Sequence, residues 1–256
     1  MVTSFTLDFL QNNLWTWVFI GMVAFTLSIV GGLSGYGVGL ILPVFIAPIV
    51  GLKEVIPVMS VAMLMTNASR LFVFRDSVKV RLTGSILVSA LPGAILGAYT
   101  FIGISERVFA VAFGVLMLLS VPARRYLEKI QVNIDNKIVL SISGFVFGFF
   151  AGAATGTGPL LIAILMATGL SGISIVATDA AISTCLNVAR LIVFNQEQLI
   201  SPLVIMQGAL IGLCTIPGSF IARHMIKRLS AKVHIGIIET IILIGSLLFF
   251  WRAYQL

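Results

Sequence analysis

Gly31-Gly32-Leu33-Ser34-Gly35-Tyr36-Gly37-Val38-Gly39, followed by Pro43, is the stretch on which the fold of this chain turns. It lies inside a long apolar region, where packing alone does not require a cluster of glycines. Five glycines in nine residues hold a regular helix poorly, because each lowers helix stability by roughly 1 kcal/mol relative to alanine. The stretch predicts a helix break in the middle of a membrane segment. A second break is predicted at Gly152-Ala153-Ala154-Thr155-Gly156-Thr157-Gly158-Pro159. Two broken apolar segments at matching positions of two halves point to the binding site of a transporter.

The chain has 256 residues, of which 59% are hydrophobic and 10% charged, and its mean hydropathy is +1.13. Soluble domains carry about 25% charged residues. A chain so poor in charge cannot coat a water-facing surface, so an integral membrane protein is expected, with the lipid bilayer as its surroundings. The net charge of +7 does not point to nucleic acid, because the basic residues sit in short loops between apolar runs, where Lys and Arg set membrane orientation. Cys185 and Cys214 lie in apolar runs and suggest no disulfide framework. The residues before Trp15 include Asp8 and no Lys or Arg, so a cleaved signal peptide is not expected.

A helix needs about 20 apolar residues to span a bilayer, or fewer if it is a half-helix buried in protein. Ten segments are predicted, near residues 15–34, 36–50, 54–75, 82–103, 106–122, 138–157, 159–171, 173–195, 199–222 and 233–251. The second and seventh are short and each follows a glycine break.

The two halves repeat in the same order, as a tandem duplication requires. Asn67-Ala68-Ser69-Arg70-Leu71-Phe72 matches Asn187-Val188-Ala189-Arg190-Leu191-Ile192. Pro92-Gly93, followed by Gly97, matches Pro217-Gly218, followed by Ala222. Equivalent loops carry opposite charge. Arg75, Lys79 and Arg81 follow the third segment, whereas Asn195-Gln196-Glu197-Gln198 follows the eighth. Arg107 stands alone after the fourth, whereas Arg223, Lys227, Arg228 and Lys232 follow the ninth. Positive loops belong in the cytoplasm. The expected architecture is therefore an all-α polytopic membrane protein built from two inverted five-segment repeats, with both termini outside. The repeats are residues 1–122 and 138–256, joined by a polar cytoplasmic linker at 123–137 that carries Arg124, Arg125, Lys129 and Lys137.

The glycine-rich break before a proline, its second copy, and the Pro-Gly-x-x-x-small motif of each half resemble the TauE/SafE family of sulfite exporters. The resemblance covers nearly the whole chain. It implies a polytopic carrier in the cytoplasmic membrane for small sulfur-containing anions such as sulfite, sulfoacetate or related sulfonates. In that family the break commonly has three adjacent glycines. Here Val38 separates Gly37 from Gly39, and Gly158-Pro159 lacks a preceding second glycine.

The expected substrate site is formed by Ser34, Gly35, Gly37 and Gly39 in the first break and Thr155, Gly156, Thr157 and Gly158 in the second. Free backbone N–H groups at a break, with the positive end of the following helix, make an anion site. Close helix packing is the competing explanation of the glycines. Asn67 with Arg70, and Asn187 with Arg190, are three residues apart and share a helix face. They are candidates for anion contact, although both arginines lie near segment ends and could serve structure instead. Asp179 is the candidate for proton coupling; Glu239 is the other carboxylate within an apolar segment.

The expected function is secondary transport, as an exporter, of a small anion by alternating access. An anion channel is the main alternative. An intramembrane serine protease is a second, since Gly32-Leu33-Ser34-Gly35 resembles a rhomboid nucleophile motif. However, the only histidines, His224 and His234, fall in or beside a loop, and a serine nucleophile needs a base within reach. No Walker sequence and no His/Cys cluster occurs, so no enzyme activity, cofactor or metal is expected. Self-association into a homo-oligomer stays open.

Overall fold

A computed structural model gives the architecture at residues 14–34, 37–130, 136–225, 243, 246–247, 249–251 and 253–255. These residues are helical throughout, apart from short connections, and contain no strand. Among the described residues nine helices have defined bounds, in order: α1 Leu14–Ser34, α2 Val38–Val50, α3 Leu52–Phe74, α4 Val80–Gly103, α5 Glu106–Ile130, α6 Lys137–Ala153, α7 Gly158–Ala167, α8 Ile173–Gln196 and α9 Pro202–Met225. A single 3₁₀ turn, Arg75–Ser77, follows α3. The predicted tenth segment lies largely outside the described residues.

Among the described residues, five helices are long and apolar enough to cross a bilayer, namely α1, α3, α4, α8 and α9. The apolar helices α2, α6 and α7 are shorter. Three boundaries differ from expectation. Helix α5 continues to Ile130 rather than stopping at 122, so the polar stretch after Val121 begins as helix. Helix α6 stops at Ala153, with extended backbone at Ala154, and α7 closes at Ala167. Asn136 caps the start of α6, accepting from the Ile138 N–H at 2.8 Å.

The helices of the two halves interleave. α4 packs against α6 and α8, α9 packs against α1 and α3, and α3 and α8 pack on each other. Small residues make the closest of these contacts. A Cβ on Gly148 or Gly152 of α6 would land on the carbonyl of Ala90 or Ala94 of α4, and one on Gly93 or Gly97 would meet the backbone of α6 in return. The α9–α1 contact repeats the pattern, with Gly218 against Ser28 and Gly32 against Ala222. Without a hydrophobic force between helices in lipid, close backbone approach of this kind drives association. Hydroxyl pairs add to it between α3 and α9: Thr66 with Thr215 at 2.7 Å and Ser69 with Ser219 at 2.8 Å. Phe101, Phe109, Phe113 and Phe249 stack on one another inside the bundle, while Phe19, Phe72 and Phe150 face outward.

Candidate functional site

Helix ends fall at both glycine-rich stretches, and the two stretches come together. α1 ends at Ser34 and α2 starts at Val38, with Gly37 between them at φ 130°. α6 ends at Ala153 and α7 starts at Gly158, with Gly156 at φ 79°. Both φ values lie in the region open to glycine and strained for other residues. The side chain of Ser34 and the whole of Gly35 are outside the described residues. Gly39 lies against Gly156: a Cβ on Gly39 would come within 3.0 Å of the Gly156 nitrogen.

A proline explains why the breaks are tied. Pro43 lies inside α2 and has no N–H to give to the carbonyl four residues back. That carbonyl belongs to Gly39, and the Thr155 hydroxyl donates to it at 2.7 Å. One side chain from the second break therefore satisfies a backbone acceptor exposed by the first.

The starts of α2 and α7 face a shared cavity of about 60 Å³. A water molecule needs roughly 10–15 Å³ of such space, so the cavity has room for a handful of waters or small ions. Gly37, Val38 and Gly39 line it from the first break, and Thr155, Gly156, Thr157 and Gly158 from the second. Neither helix start has a side-chain cap. The first N–H groups of a helix have no acceptor within it, and the dipole makes that end favourable for negative charge.

The long helices α3 and α8 supply the charged wall. Asp179, Ser183, Asn187 and Arg190 lie on one stripe of α8, and Thr66, Asn67 and Arg70 on one stripe of α3; all line the cavity. Arg70, Asp179 and Arg190 are 3%, 1% and 2% exposed.

Arg190 donates from Nη1 to the carbonyls of Ala151 and Ala154, at 2.9 and 3.0 Å, and from Nη2 to Asn187 Oδ1 at 2.7 Å. It thereby closes the open C-terminus of α6, where a cation suits the helix dipole. A guanidinium has five N–H donors, so two are left over, one of them on Nε, which has no partner. Among the described residues no carboxylate pairs with it.

Arg70 is held differently. Its Nη1 donates to Asn67 Oδ1 at 3.1 Å and its Nη2 to Asp179 Oδ2 at 2.8 Å. The start of α8 is fixed beside the turn after α3 by a bond from the Lys79 N–H to Thr178 Oγ1 at 3.2 Å, which brings Asp179 to Arg70. Asp179 Oδ1 and Arg70 Nε have no partner.

Apart from Ser34 and Gly35, every predicted site residue lies on this one cavity. The sequence reading missed Ser28, Met63, Thr66 and Ser183 on its wall. Thr66 and Ser183 had a usable signal, since Thr66 stands four residues before Arg70 and Ser183 four before Asn187. The histidine described, His224, is exposed on α9 and bonds its own helix at the Phe220 carbonyl. Both cysteines are free.

These features define a polytopic helical membrane protein with a small, charged cavity where two interrupted helices meet, which is the build of a solute transporter. The family model for Sulfite exporter TauE/SafE matches residues 20–249. The chain belongs to that family, whose members are membrane transporters and not enzymes. Neither a curated protein nor a solved structure gives a match.

Proposed function

We propose that this chain is a secondary transporter exporting a small sulfur oxyanion or sulfonate across the cytoplasmic membrane, with the anion bound between the two glycine-rich breaks. The observation that carries this reading is Arg190. A guanidinium buried inside a membrane protein without a counter-charge costs several kcal/mol. Here its carbonyl and amide partners leave two donors unfilled. A planar fork of that kind suits the oxygens of an oxyanion. Two uncapped helix starts on the same cavity add backbone donors. The family's description as sulfite exporters supplies the chemical class.

Alternating access is the expected mechanism, with the halves arranged as inverted repeats. Two observations favour that arrangement: the opposite charges of equivalent loops, and matched packing in which α4 sits on α6 and α8 as α9 sits on α1 and α3. Inverted repeats place the site near the membrane midplane at their interface.

Calorimetric titration of the detergent-purified protein with sulfite and sulfoacetate tests the site. Binding by wild type and a tenfold or greater loss in Arg190→Gln is the expected result. Equal affinity in the folded variant would place the substrate elsewhere. In liposomes, flux should saturate with anion concentration, whereas a channel would show no saturable site.

A further inference from the structure

We propose that Arg70 is a second anion station, equivalent to the one at Arg190, and that the Asp179 carboxylate fills it as an internal stand-in for the transported anion. This rests on the reading of the cavity as an anion site.

The two arginines are built alike. Each donates to the Asn three residues before it on its own helix, Arg70 to Asn67 at 3.1 Å and Arg190 to Asn187 at 2.7 Å. Both are buried, and both line the same cavity. Their remaining partners differ. Arg190 keeps two donors unfilled, whereas Arg70 meets the Asp179 carboxylate.

That carboxylate is not part of the repeat. Aligning Asn67 with Asn187 places Met59 opposite Asp179, and Met59 is a buried apolar side chain. The pairing also falls short of what a structural ion pair in an apolar interior requires. A stable buried bridge satisfies the remaining oxygens and N–H groups, and an Arg–carboxylate pair often closes two bonds at once. Here one bond is made at 2.8 Å, while Asp179 Oδ1 and Arg70 Nε stay unpartnered. An anion with several oxygens would accept from both Arg70 Nη2 and Arg70 Nε.

The stations are separate. Asp179 and Asn187 are eight residues apart on α8, about 12 Å at 1.5 Å per residue. The groups that hold the two guanidiniums are thus spread along the cavity wall, Asp179 with Arg70 and Asn187 with Arg190. Ser183 lies between them on the cavity wall. Among the described residues the wall thus carries two guanidiniums and one carboxylate, which leaves the charge of Arg190 unmatched there. An anion that moves on to Arg70 displaces Asp179.

Titration with methanesulfonate, a monoanion across the working pH range, tests the proposal. Wild type should bind one anion per chain. Asp179→Ala removes the carboxylate and opens its space, and should bind two. Arg70→Gln/Asp179→Asn, which removes both charges together, should return to one. One anion in wild type and still one in Asp179→Ala overturns the proposal and leaves the Arg190 site standing. No binding in any form overturns both readings. If Asp179→Ala fails to fold alone, it should be recovered by growth and purification in methanesulfonate and not in dimethyl sulfone, its neutral analogue. Equal recovery, or none, with the two additives overturns the proposal as well.

Discussion

The Thr155 hydroxyl bonds the Gly39 carbonyl at 2.7 Å, across 116 residues of sequence, and it does so because Pro43 leaves that carbonyl without its helical donor. Thr155→Val keeps the shape and removes the donor. A buried acceptor left unsatisfied costs about 1–3 kcal/mol. Thr155→Val should lower thermal stability by that amount, and Thr155→Ser should recover most of it, read from unfolding of the purified protein.

The glycines separate into two groups by what a methyl would do. At Gly37, φ is 130° and the nearest atoms to an added Cβ are 4.0 Å away, so alanine meets backbone strain and no clash. Gly37→Ala should weaken anion binding about tenfold, equivalent to about 1.4 kcal/mol. Gly156→Ala adds a clash with Leu40 to a φ of 79° and should harm both affinity and stability. Gly158 opens α7 without a positive φ, so Gly158→Ala should weaken anion binding about tenfold without adding backbone strain. Gly97→Ala would press on the Phe149 carbonyl and should lower the melting temperature while leaving the dissociation constant unchanged. Calorimetry on monodisperse variants, paired with melting curves, distinguishes the groups.

The two arginines should differ in stability when neutralised. Arg70→Gln leaves Asp179 buried and unpaired, a loss of about 3–5 kcal/mol, and adding Asp179→Asn should restore much of it. Arg190→Gln removes a cation that no carboxylate answers, so it should cost less than Arg70→Gln. Denaturant unfolding of the four forms measures the difference. Equal losses at the two positions would contradict the partners described here.

Loop charge sets the expected orientation. In a background with Cys185 and Cys214 replaced by alanine, single cysteines at Lys79, Lys129 and Lys227 should react with a membrane-impermeant maleimide only from the cytoplasmic side. Labelling of positions 79 and 227 from opposite faces would remove the inverted arrangement.

Much of the cavity was legible because its parts follow local rules. Gly37 and Gly156 were found because glycines crowd there at one- or two-residue spacing, whereas glycines four apart, such as Gly93 and Gly97, stay helical. Asn67 with Arg70 and Asn187 with Arg190 share a face by spacing. What stayed hidden depends on distant partners or on lipid. The Arg70–Asp179 pair joins residues 109 apart, and Asp179 has no repeated counterpart to announce it. The length of α5 was misjudged because hydropathy marks where a chain leaves the membrane, not where its helix stops. Ala123-Arg124-Arg125-Tyr126-Leu127-Glu128-Lys129 is polar yet composed mainly of good helix formers.

The backbone contact of α6 on α4 has a consequence for motion. Gly148 and Gly152 touch the Ala90 and Ala94 carbonyls with no side chain between, so these helices have no soft layer along which to slide. Yet α4 belongs to one half of the sequence and α6 to the other. The two halves of the sequence are therefore not two separate bodies in the fold. Cutting the chain between residues 131 and 135 would leave two fragments still clasped by helices that each lends to the other.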